Sequence, residues 1–108
     1  MADSYTFTQG DLRPFFAVTI RNALTNAVID LTGATVTFNW KNDRARTAKV
    51  TGGSCTVTSA AAGEVEYRWA ATDLDEPGIY TAEFLVEHTD GKVQTVVVEN
   101  VEVRAQIA

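Results

Sequence analysis

The sequence predicts an all-β sandwich of about seven antiparallel strands, on three observations. Apolar and polar residues alternate with period two along most of the chain. Apolar residues never keep the helical spacing i, i+3, i+4, i+7 across a long window. Turn-forming residues interrupt the alternating runs at roughly 8 to 12 residue intervals, the cadence of sandwiches and barrels. At 108 residues the chain fits one domain over 1–108, and folding at this size removes roughly two-thirds of the unfolded surface from water without metal or disulfide staples. No repeat, linker or low-complexity segment divides it.

A first short strand is expected around Tyr5 and Phe7, ended by a turn at Gly10-Asp11. Phe16, Val18 and Ile20 line one face of a second strand, and Pro14 fits only its start, where no ladder N–H is needed. "NALTNAVIDLTG" reads as a loop with a short edge segment. From Gly33, Ala34, Val36, Phe38 and Trp40 alternate with Thr35, Thr37 and Asn39, a half-buried strand with a core tryptophan. Val50, then Cys55 and Val57, flank Gly52-Gly53, a dipeptide that favours a tight turn between two short strands. After "AAAG", Val65, Tyr67 and Trp69 point inward while Glu64, Glu66 and Arg68 point outward. "ATDLDEPG" makes a helical turn or an irregular corner, and Gly78, Tyr80, Ala82, Phe84 and Val86 form the inward set of the next strand. Asp90-Gly91 joins that strand to "KVQTVVVENVEVRAQ" as a hairpin. Trp40, Trp69, Phe38 and Phe84 are thus the expected core aromatics.

Valine on both faces of the last strand, at Val96, Val97 and Val98, has two readings. The strand is either covered on both sides or presents apolar surface to a partner, which makes these three the candidate protein interface.

Apolar residues make up 45% and charged residues 21% of the chain, close to the averages for soluble globular proteins. The longest apolar runs are far too short to cross a bilayer, and Met-Ala-Asp-Ser-Tyr at the start lacks the features of a secretory signal, so a cytosol-like compartment is expected. A net charge of −5 with 9 basic residues works against tracking phosphates, so neither nucleic acid nor membrane is an expected partner. Lys41, Arg44, Arg46 and Lys49 cluster around Asp43 and read as a solvated hairpin. Cys55, the only cysteine, forms no intrachain disulfide and reads as a small, inert strand residue.

No catalytic residue, cofactor site or metal site is expected. The single histidine, His88, lies beside "TDG" at a strand end, without a nucleophile to serve or companion ligands for zinc. Asp73, Asp75 and Glu76 could converge on calcium, but their loop is short of oxygen ligands and reads better as a solvated turn. Glu64 and Glu66 beside Arg68 form a charged outer face rather than a hydrolase carboxylate pair in a cleft.

"EPGIYTA" places Tyr80 two residues before Ala82 and four after Glu76, with Gly78 between. Immunoglobulin domains carry a corner tyrosine two residues before their second cysteine, its hydroxyl bonded back to the upstream backbone. Glu76, Gly78 and Tyr80 are therefore the candidate fold corner of an immunoglobulin-like sandwich whose disulfide is absent. An ordinary strand-initiating tyrosine stands as the alternative.

Three segments carry a wider resemblance: "YTFTQGDLRPFFAVTI", "DLTGATVTFNWKND" and "GEVEYRWAATDLDEPGIYTAEFLVEHTDGKVQT". Together they resemble the small immunoglobulin-like domain of tailed-phage and prophage virion proteins, similar to the N-terminal domain of the baseplate upper proteins of lactococcal-type phages. The matching motifs are Gly10-Asp11 before a strand, Asp30 to Phe38 entering the next, and Gly78 to Gly91 as a hairpin. The resemblance implies a non-enzymatic structural protein of tail or baseplate, docking with other virion proteins or as a homo-oligomer, present in the host cytoplasm during assembly and then in the virion. Baseplate upper proteins continue into further regions, whereas this chain stops at Ala108, as a free-standing protein or a piece of a longer one.

Two other readings share the fold class. One is a capsid decoration protein. The other is a carbohydrate- or cell-surface-binding module in which Phe15, Tyr5 and Trp69 would stack on sugar rings, against which stands the expected burial of Trp69.

Overall fold

Alternation of burial along the strands builds two facing sheets. The computed structural model describes residues 5–13, 15–22 and 24–107. Pro14, expected at the start of a strand, lies outside them, as does Ala108. The described strands are β1 (Thr6–Thr8), β2 (Phe16–Thr19), β3 (Thr35–Asn42), β4 (Val50–Ser54), β5 (Thr56–Ser59), β6 (Glu64–Tyr67), β7 (Gly78–Glu87) and β8 (Val93–Arg104). One sheet has the order β1-β8-β7-β3-β4 and the other β2-β6-β5. No helix occurs among the described residues, and the architecture is that of a β-sandwich.

Three sequence expectations need correction. The described strands number eight rather than about seven, and β1 runs parallel to β8, with Thr6 opposite Glu102, so the sandwich is not wholly antiparallel. Gly52-Gly53 is not a turn; it lies inside β4. Gly52 adopts a φ of 67° beside a register shift against β3, and its N–H donates to Asn39 Oδ1 at 2.9 Å. A side chain at Gly53 would sit 2.8 Å from the Tyr67 ring. The glycines therefore let an edge strand bulge and let an aromatic ring close over it. The chain changes sheets at Cys55, whose N–H donates to the Val36 carbonyl.

The core is an aromatic stack assembled from both sheets. Phe16 of β2 contacts Trp40 of β3 and Phe84 of β7 at ring separations of 6.0 and 5.4 Å, and Phe38 stacks on Tyr67 at 4.1 Å. Trp40, Phe38, Phe84 and Tyr80 are fully buried, and Trp69, just beyond β6, is nearly so. Each such side chain contributes roughly 1.5–3 kcal/mol by leaving water.

The segment between β6 and β7 is an irregular corner pinned from inside. The Trp40 indole N–H donates to the Asp73 carbonyl at 3.1 Å, while Asp73 Oδ2 accepts from Tyr67 Oη at 2.7 Å and from the Ala70 N–H at 2.8 Å. At its end the Tyr80 hydroxyl donates to the Glu76 carbonyl at 2.8 Å. Asn42 Nδ2 donates to Glu76 Oε1 at 3.0 Å, and Asn42 lies so close to Gly78 that a Cβ there would meet its Nδ2 at 2.8 Å. Glu76, Gly78 and Tyr80 thus come together at one corner against the end of β3.

Candidate docking surface

The longest unpaired stretch of strand edge among the described residues belongs to β8. β7 pairs with β8 from Gly78 to Glu87, but β1 covers only Glu102 to Arg104 on the other side. The hairpin bond from the His88 N–H to the Lys92 carbonyl sets the ladder phase. Antiparallel partners alternate between facing toward and away from each other, so Gln94, Val96 and Val98 turn their backbone groups to β7. Val93, Thr95 and Val97 turn theirs outward, where β8 has no neighbouring strand among the described residues. Beyond them two residues, Glu99 and Asn100, oppose the single Thr81, with Asn100 at a φ of 58°. This bulge inverts the phase, and Glu102 now donates sideways to the Tyr5 carbonyl at 3.1 Å.

The three valines divide between two surfaces. Val97 points to the outer face of the five-stranded sheet and is 49% exposed, so the strand is not covered on both sides within one chain. Val96 and Val98 point inward and are half-buried against the core. They line a groove of about 780 Å³ between β8 and β2, together with Tyr5, Val18 and Val65. β2 is also an edge strand, so the groove runs between two sheet margins. Chemically, this arrangement can accept an extended polypeptide by main-chain hydrogen bonding.

The residues weighed for other chemistry are dispersed or engaged. Asp73 is buried and serves Tyr67 and Ala70, Asp75 pairs with Lys49 Nζ at 2.6 Å, and Glu76 holds Asn42. Their carboxylates go to three different partners, and no cluster of His, Cys, Asp and Glu among the described residues could hold a metal ion. The hydrogen bond to Asp75 raises the Lys49 pKa. Arg68 pairs with Glu66 at 3.0 Å on the outer face of the small sheet, while Glu64 lies at the groove rim. His88 sits at the base of the β7–β8 hairpin. Arg44 and Arg46 are exposed in the β3–β4 loop, while Lys41 is half-buried at the end of β3. Burial pushes the Cys55 thiol up to about 12, which keeps it protonated and unreactive at neutral pH.

Phe15, Tyr5 and Trp69 form no platform for a sugar ring. Trp69 is 6% exposed, Tyr5 packs on Phe16 at 4.8 Å, and Phe15 lies under the guanidinium groups of Arg13 and Arg68 at 5.7 and 5.3 Å.

Two features of this region escape the sequence reading. Asp73 looks like one acid among several in a polar turn, yet it is the buried anchor of the corner. Its spacing of six from Tyr67 offers no periodic signal. The free edge of β8 depends on how little of it β1 covers, which strand prediction does not reveal. No protein-family model and no curated protein matches the chain.

Proposed function

We propose that this chain is an immunoglobulin-like docking module of a tailed-phage or prophage virion, a non-enzymatic component of tail or baseplate assembly that works by protein–protein contact. The observation that carries the docking role is the free edge at Val93, Thr95 and Val97 with the groove beside it. Proteins normally blunt such edges with lysine, proline, bulges or very short strands, and a long uncharged one fits strand addition by another polypeptide.

The immunoglobulin-like reading is supported by strand order and by the corner. β2-β6-β5 correspond to strands B, E and D, and β8-β7-β3 to G, F and C, with Trp40 on the strand equivalent to C. Tyr80 bonds back to Glu76 as a corner tyrosine does, and Ala82 stands in the place of the second cysteine. Contact between the sheets there is made by Phe16 against Trp40 and Phe84. The virion assignment is supported by the segments around Gly10-Asp11, Asp30 to Phe38 and Gly78 to Gly91 that resemble the phage domain.

Mass spectrometry of gradient-purified particles, produced from the genome that encodes the chain, tests the assignment. Peptides of this chain at a fixed ratio to the tail proteins are expected. Their absence from intact particles would overturn it.

A further inference from the structure

We infer that the free edge of β8 pairs with β8 of a second copy, antiparallel, about a two-fold axis at Thr95. This deepens the docking reading by naming the partner for that edge. Three observations favour a second copy in this arrangement.

The first is register. Outward backbone groups occur at Val93, Thr95 and Val97, and an antiparallel pair requires outward residues to meet outward residues. An axis at Thr95 sets Val93 opposite Val97 of the second copy and Thr95 opposite its counterpart, so every outward residue of the uncharged stretch is paired. An axis one residue earlier puts Val97 against Gly91, which lies in the hairpin turn at a φ of 84°. An axis one residue later sets Val93 against Glu99, which belongs to the bulge, and an axis two residues later drives Val93 toward Val101, beside the segment that β1 already covers.

The second is charge. The stretch from Val93 to Val98 is uncharged and is bounded by Lys92 and Glu99. Antiparallel pairing brings the Lys92 end of each strand to the Glu99 end of the other, whereas parallel pairing would bring like charges together.

The third is clearance. β1 occupies only Glu102 to Arg104. With the axis at Thr95 these residues lie beyond the β7–β8 hairpin of the second copy, so among the described residues neither β1 obstructs the pairing. The same patch on both copies makes a closed, isologous contact.

Light scattering over a concentration series tests the inference. The unmodified chain is expected to reach twice its 11.7 kDa mass. Thr95→Pro removes an N–H that faces the partner and takes no part in the ladder to β7, so this variant is expected to remain at the mass of one chain with an unchanged circular dichroism spectrum. Monomer at every concentration for the unmodified chain, or a dimer that survives Thr95→Pro, would overturn it. Should Thr95→Pro fail to fold, Cys55→Ala/Thr95→Cys provides the test. Opposed residues of such a narrow pair have Cα atoms about 5.5 Å apart, within disulfide reach. Oxidation should link that variant into a covalent dimer but leave Cys55→Ala/Thr81→Cys unlinked, and failure of the first to link would overturn the pairing. A monomer that purified particles nonetheless retain contradicts the pairing and leaves the virion reading standing; a dimer absent from particles does the reverse.

Discussion

The Tyr80 hydroxyl donates to the carbonyl of Glu76 at 2.8 Å while the Tyr80 ring stacks on Trp40 at 4.4 Å, nearly parallel. One side chain thereby ties the corner to the core. Tyr80→Phe keeps the stack and removes the bond, leaving a partly buried carbonyl without its donor. Urea unfolding should show a loss of about 1–2 kcal/mol with an unchanged slope.

Asp73 is the other fixed point of this corner. Asp73→Ala strips the partner from the Tyr67 hydroxyl and the Ala70 N–H, and should cost about 2–4 kcal/mol in the same measurement. Since Asp73, Asp75 and Glu76 each serve a different partner, adding calcium should leave the melting temperature of the unmodified chain unchanged. A rise with calcium would mean that the three carboxylates converge on an ion.

Two glycines should differ in their tolerance of alanine. At Gly63, φ is 69° and a Cβ would lie 2.7 Å from the Ile29 carbonyl and 2.9 Å from that of Ile20, backbone atoms that cannot swing aside. At Gly78, φ is 151° and the obstacle is the end of the Asn42 side chain. Gly63→Ala is expected to cost about 3 kcal/mol and Gly78→Ala about 2 kcal/mol, since Asn42 must give up its bond to Glu76 to make room, measured by denaturant midpoints.

Stability should fall in alkali. Burial raises the pKa of Cys55 from an ordinary 9.0 to about 12 and is the main cause of higher values for Tyr67 and Tyr80, whose ordinary value is 10.0. Groups raised on folding contribute stability that is complete below their unfolded values and is lost as pH climbs toward the folded ones. Urea midpoints should therefore hold steady to about pH 9 and decline above it. Cys55→Ala should delay the onset toward the tyrosine range.

The outer face of β8 offers a milder probe than a backbone change. Glu83 stands directly opposite Val97, so Val97→Asp would add local repulsion within the single chain. Val97→Lys avoids this and should leave the stability of the single chain unchanged or slightly improved. In the proposed dimer it loses the cross-strand contact to Val93 twice by symmetry, which should weaken association roughly two- to thirtyfold by concentration-dependent light scattering.

Much of the fold is legible in the residues because one-sided burial forces period two. Val36, Phe38 and Trp40, or Tyr80, Ala82 and Phe84, could not face the core in any other register. The hairpin at Asp90-Gly91 is similarly local. Gly52-Gly53 misleads because a glycine pair serves a bulge as well as a turn, and only the position of Tyr67 distinguishes them. The parallel pairing of β1 follows from long-range geometry that no local pattern records. At the candidate docking surface the valines are visible in sequence, but their division between groove and outer face depends on the ladder phase, and the free edge depends on how little of it β1 covers.

Residue-resolved amide hydrogen exchange across β8 tests the proposed docking edge most directly. In a single chain Gln94, Val96 and Val98 are protected by β7, while Val93, Thr95 and Val97 exchange at rates near those of open backbone. Under conditions where the chain is assembled, protection is predicted at all six. Fast exchange at Val93, Thr95 and Val97 in every assembled form would show that this edge is not where the protein docks.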